Sequence, residues 1–388
     1  MSWSLGKVSD IADIISGYAF KTDCFGTGND KIIKIGNLQN GRITNNDLMS
    51  FDSNIYKVSE QFKIQTGDIL MALSGATVGK IAIAQEKDSG SYLNQRVAIV
   101  RGNSPENAQY LKYVFSGHLL EKLLLFAGGA AQPNLSPKSL ADMEIPLPPL
   151  DEQKRIAAIL DKADSLRRKR QQAIQLADEF LRAVFLDLFG DPVTNPKGWN
   201  VKPICNIATV KTGNTPSRTQ PEYYGDYIEW IKSDNINTPH HILTTAREYL
   251  SEEGCAVGRK VSVGATLITC IAGSFDCIGN VAFTDRDVCF NQQINALIPL
   301  TVKPWFLYAL ILFSKKKIQA ASTNSMKGMV SKGVLEKIEL ICPPIELQIK
   351  FEKLFENYRN LMLKNEQSKY LADNSFNSLS QKAFAGEL

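Results

Sequence analysis

Histidine is nearly absent from this chain, which has only His118, His240 and His241. No C-x-x-C or H-x-x-x-H spacing occurs, so a zinc site is not expected. The seven cysteines stand scattered at 24, 205, 255, 270, 277, 289 and 342. An odd, unpatterned set fits reduced cytosolic thiols better than a disulfide framework. Long apolar runs are missing too; none approaches the ~20 residues of a membrane span. The opening Met1-Ser2-Trp3-Ser4 leads straight into a strand-like pattern, with no signal peptide. These features predict a cytoplasmic protein without a membrane partner. Excess charge is also small: 44 Lys and Arg against 40 Asp and Glu leave +4. That permits nucleic-acid binding, through local clusters only.

Catalytic signatures are lacking as well. An adenine methyltransferase needs an Asn/Asp-Pro-Pro-aromatic loop around a flipped base. The Pro-Pro pairs here follow Leu147 and Cys342. Phe126-Ala127-Gly128-Gly129 lacks the strand-turn-helix setting of a glycine-rich cofactor loop and reads as an ordinary loop. No GxxxxGK[ST] phosphate loop occurs. Glu86-Lys87 and Glu352-Lys353 are lone pairs rather than a carboxylate cluster for a nuclease metal. The chain is therefore read as no enzyme by itself, binding no cofactor and no metal.

What is present is a duplication. Pro146–Gln153 reads PLPPLDEQ and Ile341–Gln348 reads ICPPIELQ, and each opens a long charged segment with apolar residues at helical spacing. The echo runs through both halves. Trp3 matches Trp199, Gly17 matches Gly213, Lys34–Leu38 matches Lys232–Ile236, and Asn94-Gln95 matches Asn291-Gln292. The period is far too long for a solenoid, and each unit is the size of a domain plus a helix.

Segments 1–147 and 197–342 read as β-rich, with short Val, Ile, Phe and Tyr runs between Gly, Asn, Asp and Ser clusters. Strands are expected at Lys31–Ile35, Ile69–Leu73, Lys80–Ala84 and Val97–Val100. Their counterparts are Tyr227–Ile231, Thr266–Ile271, Asn280–Phe283 and Asn295–Pro299. One helix interrupts each segment, near Asn107–Leu125 and Pro304–Ala320. The long helices carry 4-3 seams. The first is Ile159, Ala163, Leu166, Arg170, Ala173, Ala177, Phe180 and Val184; the second is Leu354, Tyr358, Leu361, Asn365, Ser368, Ala372, Ser375 and Leu379. Arg170 and Asn365 are matching polar interruptions of the kind that fixes register. A helix of ~30 residues would be about 45 Å long, and its simplest partner is its own repeat, paired antiparallel about a pseudo-twofold.

The fold class predicted is α+β. Two β-rich domains, each with a helix, are joined by two long helices forming an antiparallel coiled-coil spacer, an internal pseudo-twofold repeat. The boundaries are 1–148 and 191–343 for the domains, and 149–190 and 344–388 for the spacer helices. This plan resembles the specificity subunit of type I restriction–modification systems. The resemblance rests on Pro146–Ile156, Phe189–Pro192 with Asn195–Trp199, Gly213–Ser217, Asp68–Leu70, Ser74–Lys80 and Asn94–Arg96. It covers essentially the whole chain. Gly273–Gly279 carries an insertion relative to Ser74–Gly79, and Ile345–Lys350 is a weaker echo of the spacer opening.

The resemblance implies that the globular units are target recognition domains reading an asymmetric bipartite site in double-stranded DNA. It also implies that the spacer docks two modification (methyltransferase) subunits carrying S-adenosylmethionine, which restriction (motor-nuclease) subunits can join. Two alternatives stand beside it: a methyltransferase with an unrecognised motif, and a tandem-domain scaffold that binds no DNA.

The DNA-facing candidates are polar residues in loops. Lys34, Asn37, Lys232 and Asn235 follow strands. Ser74, Thr77 and Lys80 sit in a glycine-containing loop that lets backbone approach a phosphate. Gln95, Arg96, Gln292 and Gln293 have the chemistry for base edges, Arg to guanine and Gln to adenine. Gln132, Asn134, Ser217, Arg218, Asn324 and Lys327 lie on loops assigned to the same face. The plainer alternative makes Asn94 and Asn291 turn residues with ordinary surface neighbours. Arg167–Arg170 is basic, but residues 151–190 hold eight basic and seven acidic side chains. That balance favours a solvated or protein-docking helix face over DNA contact. Of the spacer seam, Ile159, Ala163, Leu166, Ala173, Ala177, Leu354, Tyr358, Leu361, Ala372 and Leu379 are the residues expected to pack.

Overall fold

The structure, a computed structural model, describes residues 3–116, 119–120, 124, 135–236, 241–322 and 328–388. The chain divides into two compact units. One is Met1–Gln171 with Ser368–Leu388; the other is Gln172–Gln367. Both contain α-helices and β-strands, and both use part of each long helix.

In the first unit Ala12–Ser16, Val97–Gly102, Ile69–Ala72 and Ile81–Ile83 form an antiparallel sheet in that order. The two inner strands are apolar runs because both faces are covered. Ile69, Met71, Ala98 and Val100 face a core that includes Tyr110, Leu111 and Val114 of the helix Pro105–Val114. Leu70, Val97 and Ile99 face a second core with Ile33, Leu38, Ile43 and Ile64. A smaller sheet orders Met49–Phe51, Asp30–Ile33 and Tyr92–Leu93, the last two parallel.

The second unit repeats this plan. Ala208–Thr212, Ile294–Pro299, Thr266–Thr269 and Val281–Phe283 take the same order. Ile268 and Leu297 face one core, while Leu267, Ile294 and Ala296 face the other. Ile228–Ile231 runs parallel to Val288–Phe290, as Asp30–Ile33 does to Tyr92–Leu93. The expected helix over 304–320 is two helices, Pro304–Phe313 and Lys315–Ala320. Ser314 interrupts it with φ −92° and ψ 9°. In the first unit the corresponding helix is described as Pro105–Val114; most of 117–125 lies outside the described residues.

The long helices are Leu150–Phe189 and Ile345–Ala385, of 40 and 41 residues, longer than the ~30 expected. At ~1.5 Å per residue each is roughly 60 Å long. The repeated Pro-Pro-x-x-x-Gln opening has one structural role in both copies. Gln153 is buried; its amide donates to Pro148 O at 2.9 Å and its carbonyl accepts from Asn107 Nδ2 at 2.9 Å. Gln348 donates to Pro343 O at 2.8 Å and accepts from the Lys303 N–H at 2.9 Å. Each glutamine thus pins a proline turn to the start of its domain's helix. At the other ends, Trp3 Nε1 donates to Ala383 O at 2.6 Å and Trp199 Nε1 to Phe189 O at 2.8 Å. Each tryptophan satisfies one of the orphan carbonyls of a helix C-terminus.

Within the first unit, Arg155 reaches Leu388 O at 3.4 Å, and Arg167 lies 3.9 Å from Asp373 and over the Phe376 ring. Within the second, Tyr358 bonds Asp178 and Phe351 packs on Phe185. In both units, numbering falls along the second helix as it rises along the first. Each expected strand is found with its ends displaced by no more than two residues; Thr266–Thr269 stops two residues short, where the Cys270 N–H donates to Gln293 O.

The helical seam is also displaced. On the second helix the buried apolar residues are Phe351, Phe355, Tyr358, Met362, Ala372, Phe376 and Ala383. Tyr358 and Ala372 belong to the expected set and Leu379 is half-buried, but Leu354 and Leu361 are 36% and 51% exposed. On the first, Ile156, Leu160, Leu181, Phe185 and Phe189 are buried. Ile159, Ala163, Ala173 and Ala177 are half-buried, Leu166 is 48% exposed and Phe180 61%. The helices pack on their domain cores as well as on each other, which turns the buried stripe by one residue, about 100°.

Candidate nucleic-acid interface

The candidate loops meet because two parallel strands release their chains side by side. In the first unit the Asn94 N–H donates to Ile33 O at 3.0 Å, and Tyr18 bridges to Asn94. Lys34, Gln95 and Arg96 therefore emerge together beside Tyr18. The Leu73 N–H donates to Arg96 O at 3.0 Å, which sets the Ser74–Lys80 loop alongside. Gln95, Arg96, Thr77 and Lys80 are exposed; Lys34 and Ser74 are half-buried. The second unit uses the same links. Asn291 N–H donates to Ile231 O at 3.0 Å and Cys270 N–H to Gln293 O at 2.8 Å. Lys232, Gln292, Gln293 and the Asn214–Arg218 loop come together there. Glycine is required where Ala12–Ser16 and Ala208–Thr212 leave their sheets. A Cβ on Gly17 would lie 2.0 Å from Asn94 O, and one on Gly213 2.2 Å from Asn291 O.

Two of the expected DNA contacts are turned inward. Asn37 is 3% exposed and Asn235 5%. Asn37 accepts from the Lys34 N–H at 2.9 Å and donates to Asn46 O at 2.8 Å. Asn235 accepts from the Lys232 N–H at 3.0 Å and donates to Thr245 O at 3.1 Å. A 3-10 turn, Ile35–Asn37 or Ser233–Asn235, folds each side chain back under its own loop. Both asparagines shape the loop and present nothing to a ligand.

The second unit carries the denser polar cluster. Thr215 donates to Gln292, Ser233 Oγ lies 3.5 Å from Gln293 Oε1, and Ser217 pairs with Thr219 at 2.8 Å. The Arg218 guanidinium lies 4.3 Å from the Tyr224 ring centre and 5.1 Å from that of Trp230; the Lys232 ammonium lies 5.0 Å from the latter. Both cations pair with Glu248, Arg218 at 2.6 Å. Hydrogen bonds from Lys232 and then Arg218 hold the Glu248 carboxyl below its ordinary range. Sequence reading missed Glu248, Tyr224 and Trp230, because their partners are distant in the chain and no spacing marks them.

The insertion in the second unit is visible. Leu135 N–H donates to Leu73 O, and Val330 N–H to Cys270 O at 2.9 Å, so Leu73 and Cys270 correspond. Gly79 and Gly279 share φ near +80°. The numbering offset thus grows from 197 to 200 across the loop. Ile271 in the extra stretch bridges to Met329. Lys315 anchors the loop through Asp276 O at 2.7 Å and Asn280 Oδ1 at 2.6 Å. Gln132, Asn134, Asn324 and Lys327 lie outside the described residues, as do His118 and His240. Arg167 and Arg168 are tied to the buried Asp164 on their own helix. Among the described residues no group of three His, Cys, Asp or Glu gathers as metal ligands, and no helix is long and apolar enough to cross a membrane.

A duplicated β-rich domain that gathers amide, guanidinium and ammonium groups on loops at one strand-end face has the chemistry of a nucleic-acid reader. The chain belongs to the type I restriction modification DNA specificity domain family, whose pattern matches residues 2–176 and again 196–371. It is 22% identical to the type I restriction enzyme MjaIX specificity subunit of Methanocaldococcus jannaschii, over 100% of this chain and 93% of that protein. It is 25% identical to the EcoKI specificity subunit of Escherichia coli K12, over 100% of this chain and 89% of that one. The crystal structure of the type I restriction–modification S subunit from M. genitalium has the same fold. Its TM-score is 0.60 at 14% identity, over 99% of this chain and 96% of that one. The chain is thus a DNA-specificity subunit of type I restriction–modification, with a role in recognition rather than catalysis.

Proposed function

We propose that the recognition domains, 1–148 and 191–343, each read one half of an asymmetric bipartite duplex target. The observation that carries this reading is the duplicated loop face, on which Lys34 and Gln95 recur as Lys232 and Gln292, while Arg96 of the first copy gives way to Gln293 and Arg218 stands only on the loop of the second. Gln and Arg side chains select bases, while Lys80 and the glycine-containing loops with Ser74 and Thr77 position phosphate. Segments 149–190 and 344–388 form an antiparallel coiled-coil spacer about a pseudo-twofold, supported by the opposed order of helix contacts in each unit.

Two methyltransferase subunits, carrying S-adenosylmethionine, dock on this spacer, and restriction subunits join them on cytoplasmic DNA. Exposed Phe180, Tyr370 and Leu371, at 61%, 67% and 64%, are large apolar surfaces suited to that docking. The test is domain exchange. Replacing residues 1–147 with another such domain changes one half of the methylated site in a genome-wide map of modified adenines. A change in both halves contradicts independent reading.

A further inference from the structure

Arg218 and Lys232 stand on the proposed DNA face of the second unit, 55% and 33% exposed, yet both are spent on one carboxylate. Glu248 sits opposite Trp230 in the strand ladder, the Trp230 N–H donating to Glu248 O at 3.0 Å. Tyr224 and Trp230 hold the two cations from the side. A carboxylate that accepts charge-assisted hydrogen bonds from an arginine and a lysine occupies the electrostatic place of a backbone phosphate. We infer that Glu248 is a specificity-determining residue, an internal phosphate mimic that DNA must displace before Arg218 and Lys232 can engage it. This rests on the reading of the loop face as the DNA surface.

The consequence falls unequally on right and wrong sequences. Non-specific complexes draw essentially all their affinity from phosphate neutralisation. In them, exchanging Glu248 for a phosphate replaces one ion pair with another and gains little. A cognate half-site adds base-edge contacts from Gln292 and Gln293, which outweigh the exchange. Glu248 therefore lowers background binding more than target binding. Among the described residues the first unit has no counterpart at this place. Ile32 pairs with Met49 where Trp230 pairs with Glu248, so a methionine stands beside the loop of Lys34.

The test uses the full chain assembled with its methyltransferase subunits and a random-sequence 30-base-pair duplex titrated at several salt concentrations. Glu248→Gln keeps the shape and removes the charge. It is expected to bind the random duplex roughly threefold tighter and to steepen the log–log salt slope by about 0.9, the value of one more phosphate contact. A map of methylated adenines from cells carrying E248Q should show added sites degenerate in one half only. Arg218→Gln with Lys232→Gln should weaken binding and flatten the slope. Unchanged binding by E248Q, with loss in the double variant, overturns the mimic while leaving the DNA face standing. If the double variant also binds normally, the DNA face and the mimic both fail. An unchanged melting temperature for E248Q separates these outcomes from misfolding.

Discussion

Gln153 and Gln348 each join a proline turn, the first turn of a long helix and the start of a domain helix. Their partners Asn107 and Lys303 lie 46 and 45 residues away, so the repeat preserves the contact as well as the letters. Each amide is buried with both ends satisfied, and truncation strands a carbonyl and a donor. Gln348→Ala should therefore destabilise the chain by about 1–3 kcal/mol, read as a fall in the urea midpoint; an unchanged midpoint would mean that water replaces the amide. The duplicated motif was legible in the sequence as a landmark, but its role was not, because the partners are distant. Asn37 and Asn235 show the opposite error. A polar residue just beyond a strand reads as exposed, and only the 3-10 turn reveals that its side chain folds inward.

Strands were legible at the level of elements because a run such as Val97–Val100 is apolar throughout and bounded by turn residues. The long helices were legible as elements but not in their facing. Apolar letters form two overlapping 4-3 sets, one residue apart, and spacing alone does not choose between them. Phe351, Phe355, Tyr358 and Met362 lie in the core with Trp305 and Phe306, which fixes the choice. Adjacent residues of the second helix should then respond differently. Met362→Ala empties a buried site and should cost about 2–5 kcal/mol. Leu361→Ala, at 51% exposure, should stay within roughly 0.5 kcal/mol. Denaturation curves of the two variants decide it, and the reverse order would restore the seam that includes Leu361.

Over the whole molecule, the residues that bury each long helix against a domain lie toward its ends. On the first helix they are Ile156 and Leu160 in one unit and Leu181, Phe185 and Phe189 in the other. On the second they are Phe351 to Met362, and Phe376 with Ala383. Between them run stretches with few buried side chains, 165–180 and 363–371. If these stretches set the distance between half-sites, their length changes the gap without touching the readers. Removing Arg168–Ile174 and Leu363–Lys369 together takes one heptad from each helix, about 10 Å at 1.5 Å per residue. Seven residues are close to two full turns, so the flanking faces shift by only about 20° and the domain contacts survive. The modified-adenine map of cells carrying this double deletion should show both half-site sequences unchanged and the spacing between them altered. The original spacing with altered half-sites would mean that the helices hold the domains without measuring the gap.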